Sequence, residues 1–175
     1  MGDGLRDGEG PDNGLLAELY DELRVRAEHV MRGQPKNGTL QPTALVNEAC
    51  LKLMSNGNGA PTDRAHLLAV ACKAMRSVLV DHARARSRSK RSAPGERLPL
   101  DAISVAYEAR AIDILALQEA LERLQLVDPE MVRAVDLMFF GGLSQEEAAR
   151  TLVMPQRTFE RRWQFARAWL RAEIG

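Results

Sequence analysis

Between residues 157 and 171 the sequence places Arg157, Arg161, Arg162, Arg167 and Arg171 around one acid, Glu160. Phe159, Trp163, Ala166 and Leu170 are threaded through them at helical spacing. A helix here divides into an apolar side and a polar side made of Arg157, Glu160, Arg161, Gln164, Arg167 and Arg171. Arginine binds guanine through two parallel hydrogen bonds, glutamine pairs with adenine and glutamate accepts from cytosine, so this face has the chemistry to read a DNA major groove. Residues near its N-terminal end are expected to reach bases and later ones phosphates. The same pattern also suits a plain solvated helix.

A second basic run lies upstream, where Lys73, Arg76, Arg84, Arg86, Arg88, Lys90 and Arg91 face a single acid, Asp81. Cations at the end of a helix complement its dipole, but seven exceed that need. The 24 basic and 24 acidic residues cancel in sum, yet they are segregated along the chain. Two basic blocks on separate helices point to a polyanion.

Other chemistry is sparse. Cys50 and Cys72 are far apart, belong to no C-x-x-C pair and sit in apolar helical patterns, as inert buried thiols do. His29, His66 and His82 fall on different helices or faces, and no glycine loop could cradle a phosphate. No catalytic residue, metal site or cofactor is expected, and the chain reads as a binding protein.

The elements that must position the two blocks follow from composition and period. With 45% hydrophobic, 27% charged and only 5% aromatic residues, the chain should fold as an all-α protein. It has no apolar run of about 18 residues and no apolar leader, so a soluble cytoplasmic protein without a membrane segment is expected. Residues 1–13 read as a flexible tail. A first helix carries Leu15, Leu16, Leu19, Leu23, Ala27 and Val30; a second, capped by Thr43, carries Ala44, Leu45, Ala49 and Leu53; a third starts near Asp63 and runs into the first basic block. The loop Ser55 to Pro61 separates the second and third. SAPGERLP, residues 92–99, breaks the period and marks a boundary. The chain therefore divides into a domain over 14–92, a linker over 93–110 and a domain over 111–175.

In the second domain Ile112, Leu115, Ala116, Ala120, Leu121 and Leu124 form one stripe. Asp128-Pro129 is a cap followed by a proline at the first helical position, and Gly141-Gly142 closes that helix. Ser144-Gln-Glu-Glu147 forms a capping box, and Pro155 opens the arginine helix, completing a helix-turn-helix pattern.

Taken in order, DELRVRAEHVMR (21–32), TLQPTALVNEACLKL (39–53), RAHLLAVACKAMRSVLVDHARARSRSKR (64–91), FFGGLSQEEAARTL (139–152) and RTFERRWQFARAWLR (157–171) resemble the extracytoplasmic-function (ECF) sigma factors of bacterial RNA polymerase. LQPTALVNEA and LVDHARAR resemble one ECF-like branch. The resemblance spans nearly all of residues 14–173 and implies two helical domains, sigma region 2 and sigma region 4, on a flexible linker. It implies that Leu45, Val46, Asn47, Glu48 and Leu51 dock on the polymerase β′ coiled coil, and that Lys73, Arg76, His82, Arg84 and Arg86 bind the minus-ten element as it opens. It further implies that region 4 sits on the polymerase β-flap and that Arg157, Thr158, Glu160, Arg161, Gln164 and Arg167 contact the minus-35 major groove. An anti-sigma partner is common in the family, and no segment here is diagnostic of one.

The chain departs from the family pattern in two places. Leu67 and Leu68 stand where branch members often carry phenylalanines, and Thr62-Asp63 where a tryptophan is common. Val153 occupies a turn position usually held by glycine, and Met154-Pro155 replaces a capping serine, although neither favours a left-handed turn or a cap. The competing readings are a stand-alone helix-turn-helix regulator and a degenerate sigma-like adaptor that binds protein only. A regulator would need a dimer interface or sensor domain, whereas this chain spends its first half on a second basic unit.

Overall fold

The computed structural model describes residues 13–32, 40–55, 63–89, 97–99 and 111–175. These are helical apart from one short antiparallel strand pair, so the chain is all-α. In order they form α1 (Asn13–Val30), α2 (Pro42–Ser55), α3 (Arg64–Ser89), β1 (Arg97–Pro99), β2 (Ala111–Asp113), α4 (Ile114–Val127), α5 (Pro129–Val135), a π-helical turn (Asp136–Phe140), α6 (Gln145–Thr151) and α7 (Gln156–Ile174). β1 and β2 pair Arg97 with Asp113 and Pro99 with Ala111, at the two margins of the expected linker. These strands were not expected, because segments of three residues carry no readable alternation. Residues 1–12, the rest of the 93–110 linker and the 56–61 loop lie outside the described residues.

The first three helices pack by the expected period. Leu19, Leu23 and Ala27 of α1, Leu45, Val46 and Ala49 of α2, and Leu67, Ala71, Met75, Val78 and Leu79 of α3 are buried together. Asp63 caps α3 by accepting from the His66 backbone N–H at 2.7 Å. Thr43 lies inside α2, which starts one residue earlier at Pro42, the favoured proline place. Lys52 clips α2 to α3 by donating to Ser77 Oγ at 2.8 Å and pairing with Asp81.

In the second half Ile114, Leu117, Ala120, Leu121 and Leu124 of α4 pack against α5 and α7. Asp128 caps α5, accepting from the Met131 N–H at 3.2 Å, with Pro129 following as expected. The helix then widens. Gly141 N–H reaches the Asp136 carbonyl five residues back, and all of Asp136, Leu137, Met138, Phe139 and Phe140 are buried. Packing from α1, α3 and α6 around the turn buries these residues on every side. Phe139 and Phe140 meet edge to face at 4.9 Å.

The two halves are packed on one another. α3 lies along the π turn and α4, and buried residues from both halves form one continuous hydrophobic cluster. At the junction, a methyl group on Gly141 would come within 2.9 Å of Cys72 Sγ, so the backbone of the second half touches the side chains of the first.

Asp128 also receives the Arg162 guanidinium, with Glu130 beside it, which fixes α7 against the start of α5. Asp128→Ala should therefore cost more than the loss of a cap alone, about 2 kcal/mol or more, because the cap and an ion pair disappear together. Asp128→Asn keeps the cap and should fall between the two. Urea unfolding of the three proteins measures the order.

Candidate nucleic-acid interface

Ser144 and Glu147 form the expected reciprocal box. The Glu147 N–H donates to Ser144 Oγ at 3.2 Å and the Ser144 N–H donates to Glu147 Oε2 at 2.8 Å. The Ser144 backbone N–H, and after it the Ser144 hydroxyl, favour the charged carboxylate and hold Glu147 below its ordinary value.

After α6 the chain turns through Leu152, Val153 and Met154. The Val153 N–H donates to the Arg150 carbonyl at 3.1 Å and the Met154 N–H to the Ala149 carbonyl at 2.9 Å. That pair of bonds is the Schellman arrangement, with Val153 at its left-handed position, φ 53°. A β-branched residue there is strained, and Val153 is 92% exposed, so no packing rewards it. Pro155 sits at the N-cap of α7 without a side-chain hydrogen bond. Both departures noted in the sequence are thus accommodated, at a cost in turn stability.

Phe159, Trp163, Ala166 and Leu170 are buried, with Phe159 and Trp163 stacked at 6.2 Å. Trp163 is a core residue and Trp169 is partly buried. The opposite side of α7 exposes Arg157, Glu160, Arg161 and Gln164, with Thr158 and Arg167 half-buried. Gln156 donates to Glu160 Oε1 at 2.8 Å, orienting that carboxylate at the first turn. Arg162 lies off this face. Its bonds to Asp128 and Glu130 favour the charged form and make it structural. The sequence left Arg162 out of the polar side, and its partners Asp128 and Glu130, distant in the chain, are what the structure adds.

On α2 the structure divides the expected docking residues. Asn47, Glu48 and Leu51 are exposed, whereas Leu45 and Val46 are wholly buried and serve the core instead. Their burial follows from period: they share a side with Ala49, away from Asn47 and Leu51. Met54, 57% exposed, extends the Leu51 side by one turn and belongs with it. The Tyr20 hydroxyl donates to Asn47 Oδ1 at 2.7 Å and fixes that amide.

On α3, Lys73 and Arg84 are exposed, and His82 and Arg86 half-buried. Arg76 departs from the expectation of a surface contact. It is 8% exposed, and its Nε and Nη2 donate to the two carboxylate oxygens of Asp136, itself 3% exposed, at 2.6 and 3.1 Å. Its Nη1 donates to Gln118 Oε1. Burial pushes the Asp136 carboxyl above its ordinary value, and the Arg76 guanidinium offsets part of that. Asp136 could have been suspected earlier: it is the lone charge in AVDLMFFGGL, residues 134–143. Leu67 and Leu68 are both buried, so the replaced phenylalanine positions are core sites here. Thr62 lies outside the described residues. Cys72 is buried with its thiol pushed up to about 12, chiefly by burial, and burial also raises Cys50, in keeping with inert thiols.

A model of the ECF sigma factor family matches residues 3–175. The chain belongs to the ECF sigma factor family. Its role is therefore that of a sigma factor in transcription initiation, a DNA-binding function in a family whose members are not enzymes. No curated protein and no solved structure matched the chain. No helix among the described residues is long and apolar enough to cross a membrane.

This sigma factor should be stabilised by Val153→Gly, which removes the left-handed penalty of about 1 to 2 kcal/mol and returns part of it as glycine entropy. A rise in Tm of about 2 to 4 °C is expected by calorimetry. No rise would mean that the turn is relaxed.

Proposed function

We propose that this chain binds core RNA polymerase and directs it to promoters, with the exposed polar side of α7 reading the minus-35 major groove. The observation that carries this reading is the division of α7. Its apolar residues are consumed by the core and Arg162 by Asp128 and Glu130, leaving Arg157, Glu160, Arg161 and Gln164 exposed, with Thr158 and Arg167 half-buried beside them. In this reading Asn47, Glu48, Leu51 and Met54 of α2 meet the β′ coiled coil. Two exposed apolar side chains that end α4, Leu126 and Val127, suit the β-flap. Lys73, His82, Arg84 and Arg86 serve the minus-ten strand, joined by Arg76 when it is released. The cytoplasm is where such a partner is found, and an anti-sigma protein remains compatible with the same surfaces.

The test is reconstitution. Core polymerase plus this protein should yield promoter-specific transcripts, whereas the free protein should bind promoter duplex far more weakly than the holoenzyme does. Equal protection by the free protein would make it a stand-alone regulator, and polymerase binding without transcripts would make it an adaptor. Glu48→Lys should weaken capture of core polymerase with helical content unchanged, as reversing a rim charge does. Unaltered capture would remove Glu48 from the interface.

Arg161→Ala should cost about 1 to 3 kcal/mol in closed-complex formation and relax preference at one minus-35 base pair. Gel shifts over a set of single-base promoter variants measure it. A uniform loss across all variants would make Arg161 a phosphate contact.

A further inference from the structure

The Tyr20 side chain of α1 packs half-buried against the core, and its hydroxyl reaches α2, where it donates to Asn47 Oδ1 at 2.7 Å. The two residues stand 27 positions apart, so this bond ties one helix to the other. An asparagine amide carries one oxygen that accepts and one nitrogen that donates twice. With its oxygen turned to Tyr20, the exposed Asn47 presents its nitrogen outward. Leu51 and Met54, 65% and 57% exposed, follow Asn47 at helical spacing on the same side, with the exposed Glu48 on its edge. An untied surface amide would sample several rotamers and both orientations of its terminal group. Here the neighbouring helix selects one.

We propose that Tyr20 is a positioning residue of the polymerase-docking surface: its hydroxyl turns the Asn47 amide so that α2 presents an N–H donor beside the Glu48 carboxylate. This rests on the assignment of α2 to the β′ coiled coil. The surface then fits a partner helix that offers a hydrogen-bond acceptor next to a cation, with apolar side chains to meet Leu51 and Met54. The tie acts before docking. Ordering a side chain on association lowers affinity, and an amide already held by a neighbouring helix is spared that loss. The tie also sets polarity, since a partner that aims a donor at Asn47 meets N–H groups and is rejected. Both ends of the bond are firmly supported, because the preceding residues in the chain, Leu19 and Val46, are wholly buried.

The test measures the dissociation constant of the full chain for core polymerase. Tyr20→Phe keeps the ring and removes only the hydroxyl, so it should weaken binding about two- to tenfold while the urea midpoint of the free protein moves little. Asn47→Ala should weaken binding at least as much. In the Asn47→Ala background Tyr20→Phe should have no further effect, because the hydroxyl has no amide left to hold. Asn47→Asp separates orientation from mere contact: the carboxylate still accepts from Tyr20 but offers no donor to the partner, so it should bind no better than Asn47→Ala. Wild-type affinity for Tyr20→Phe, beside a weakened Glu48→Lys, would overturn the positioning role and leave the docking assignment standing. A Tyr20→Phe loss that persists undiminished in the Asn47→Ala background would overturn it as well, by making the hydroxyl a direct contact or a part of the fold. Full affinity for Asn47→Asp would refute the outward donor. Unchanged affinity in every variant, Glu48→Lys included, would strike the docking assignment itself and the proposal with it.

Discussion

The contact between Arg76 and Asp136 governs the arrangement of the whole chain. Both groups are almost fully buried, and each would be intolerable there without the other. Their pairing forces α3, from the first half, to lie against the π turn of the second. The π turn in turn buries five consecutive residues and brings the Gly141 backbone against Cys72. The pair sits within the hydrophobic cluster that both halves share, and it fixes the register in which α4 lies along α3 with a cavity between them.

Elsewhere the logic is one of sorting. On α7 and α2, a period of 3.6 residues sends apolar side chains inward and leaves a narrow polar strip outward. Cations that look equivalent in the sequence then acquire different fates. Arg162 is bound by Asp128 and Glu130, Arg76 by Asp136, and Arg157 and Arg161 are left to solvent and to partners. Burial and ion pairing, not residue type, decide which of these arginines remain exposed.

That division explains what could be read in advance. Helix order, the Asp128 cap, the Ser144–Glu147 box and the apolar side of α7 were legible because each is local, fixed by residues within one or two turns. The expected docking set on α2 is split by the fold, Asn47, Glu48 and Leu51 being exposed and Leu45 and Val46 buried, since a five-residue stretch of helix inevitably straddles two sides. Arg76 was taken for a surface cation because its partner lies sixty residues away. Period says nothing about such contacts. The π turn was hidden for a related reason: Gly141 marks where the helix ends, but the widening that lets its N–H reach the Asp136 carbonyl depends on the packing of α3 against the turn. The left-handed Val153 shows the opposite case, a local preference overruled by the geometry of a turn.

A double-mutant cycle with Arg76→Met and Asp136→Leu, followed by urea unfolding, tests most directly whether this pair holds the two halves together. Each single change should cost about 3 to 5 kcal/mol by stranding a buried charge, and the double change should cost far less than their sum, leaving a coupling of at least about 2 kcal/mol. Additive losses would contradict the account, because they would mean that the two side chains do not meet in the folded protein.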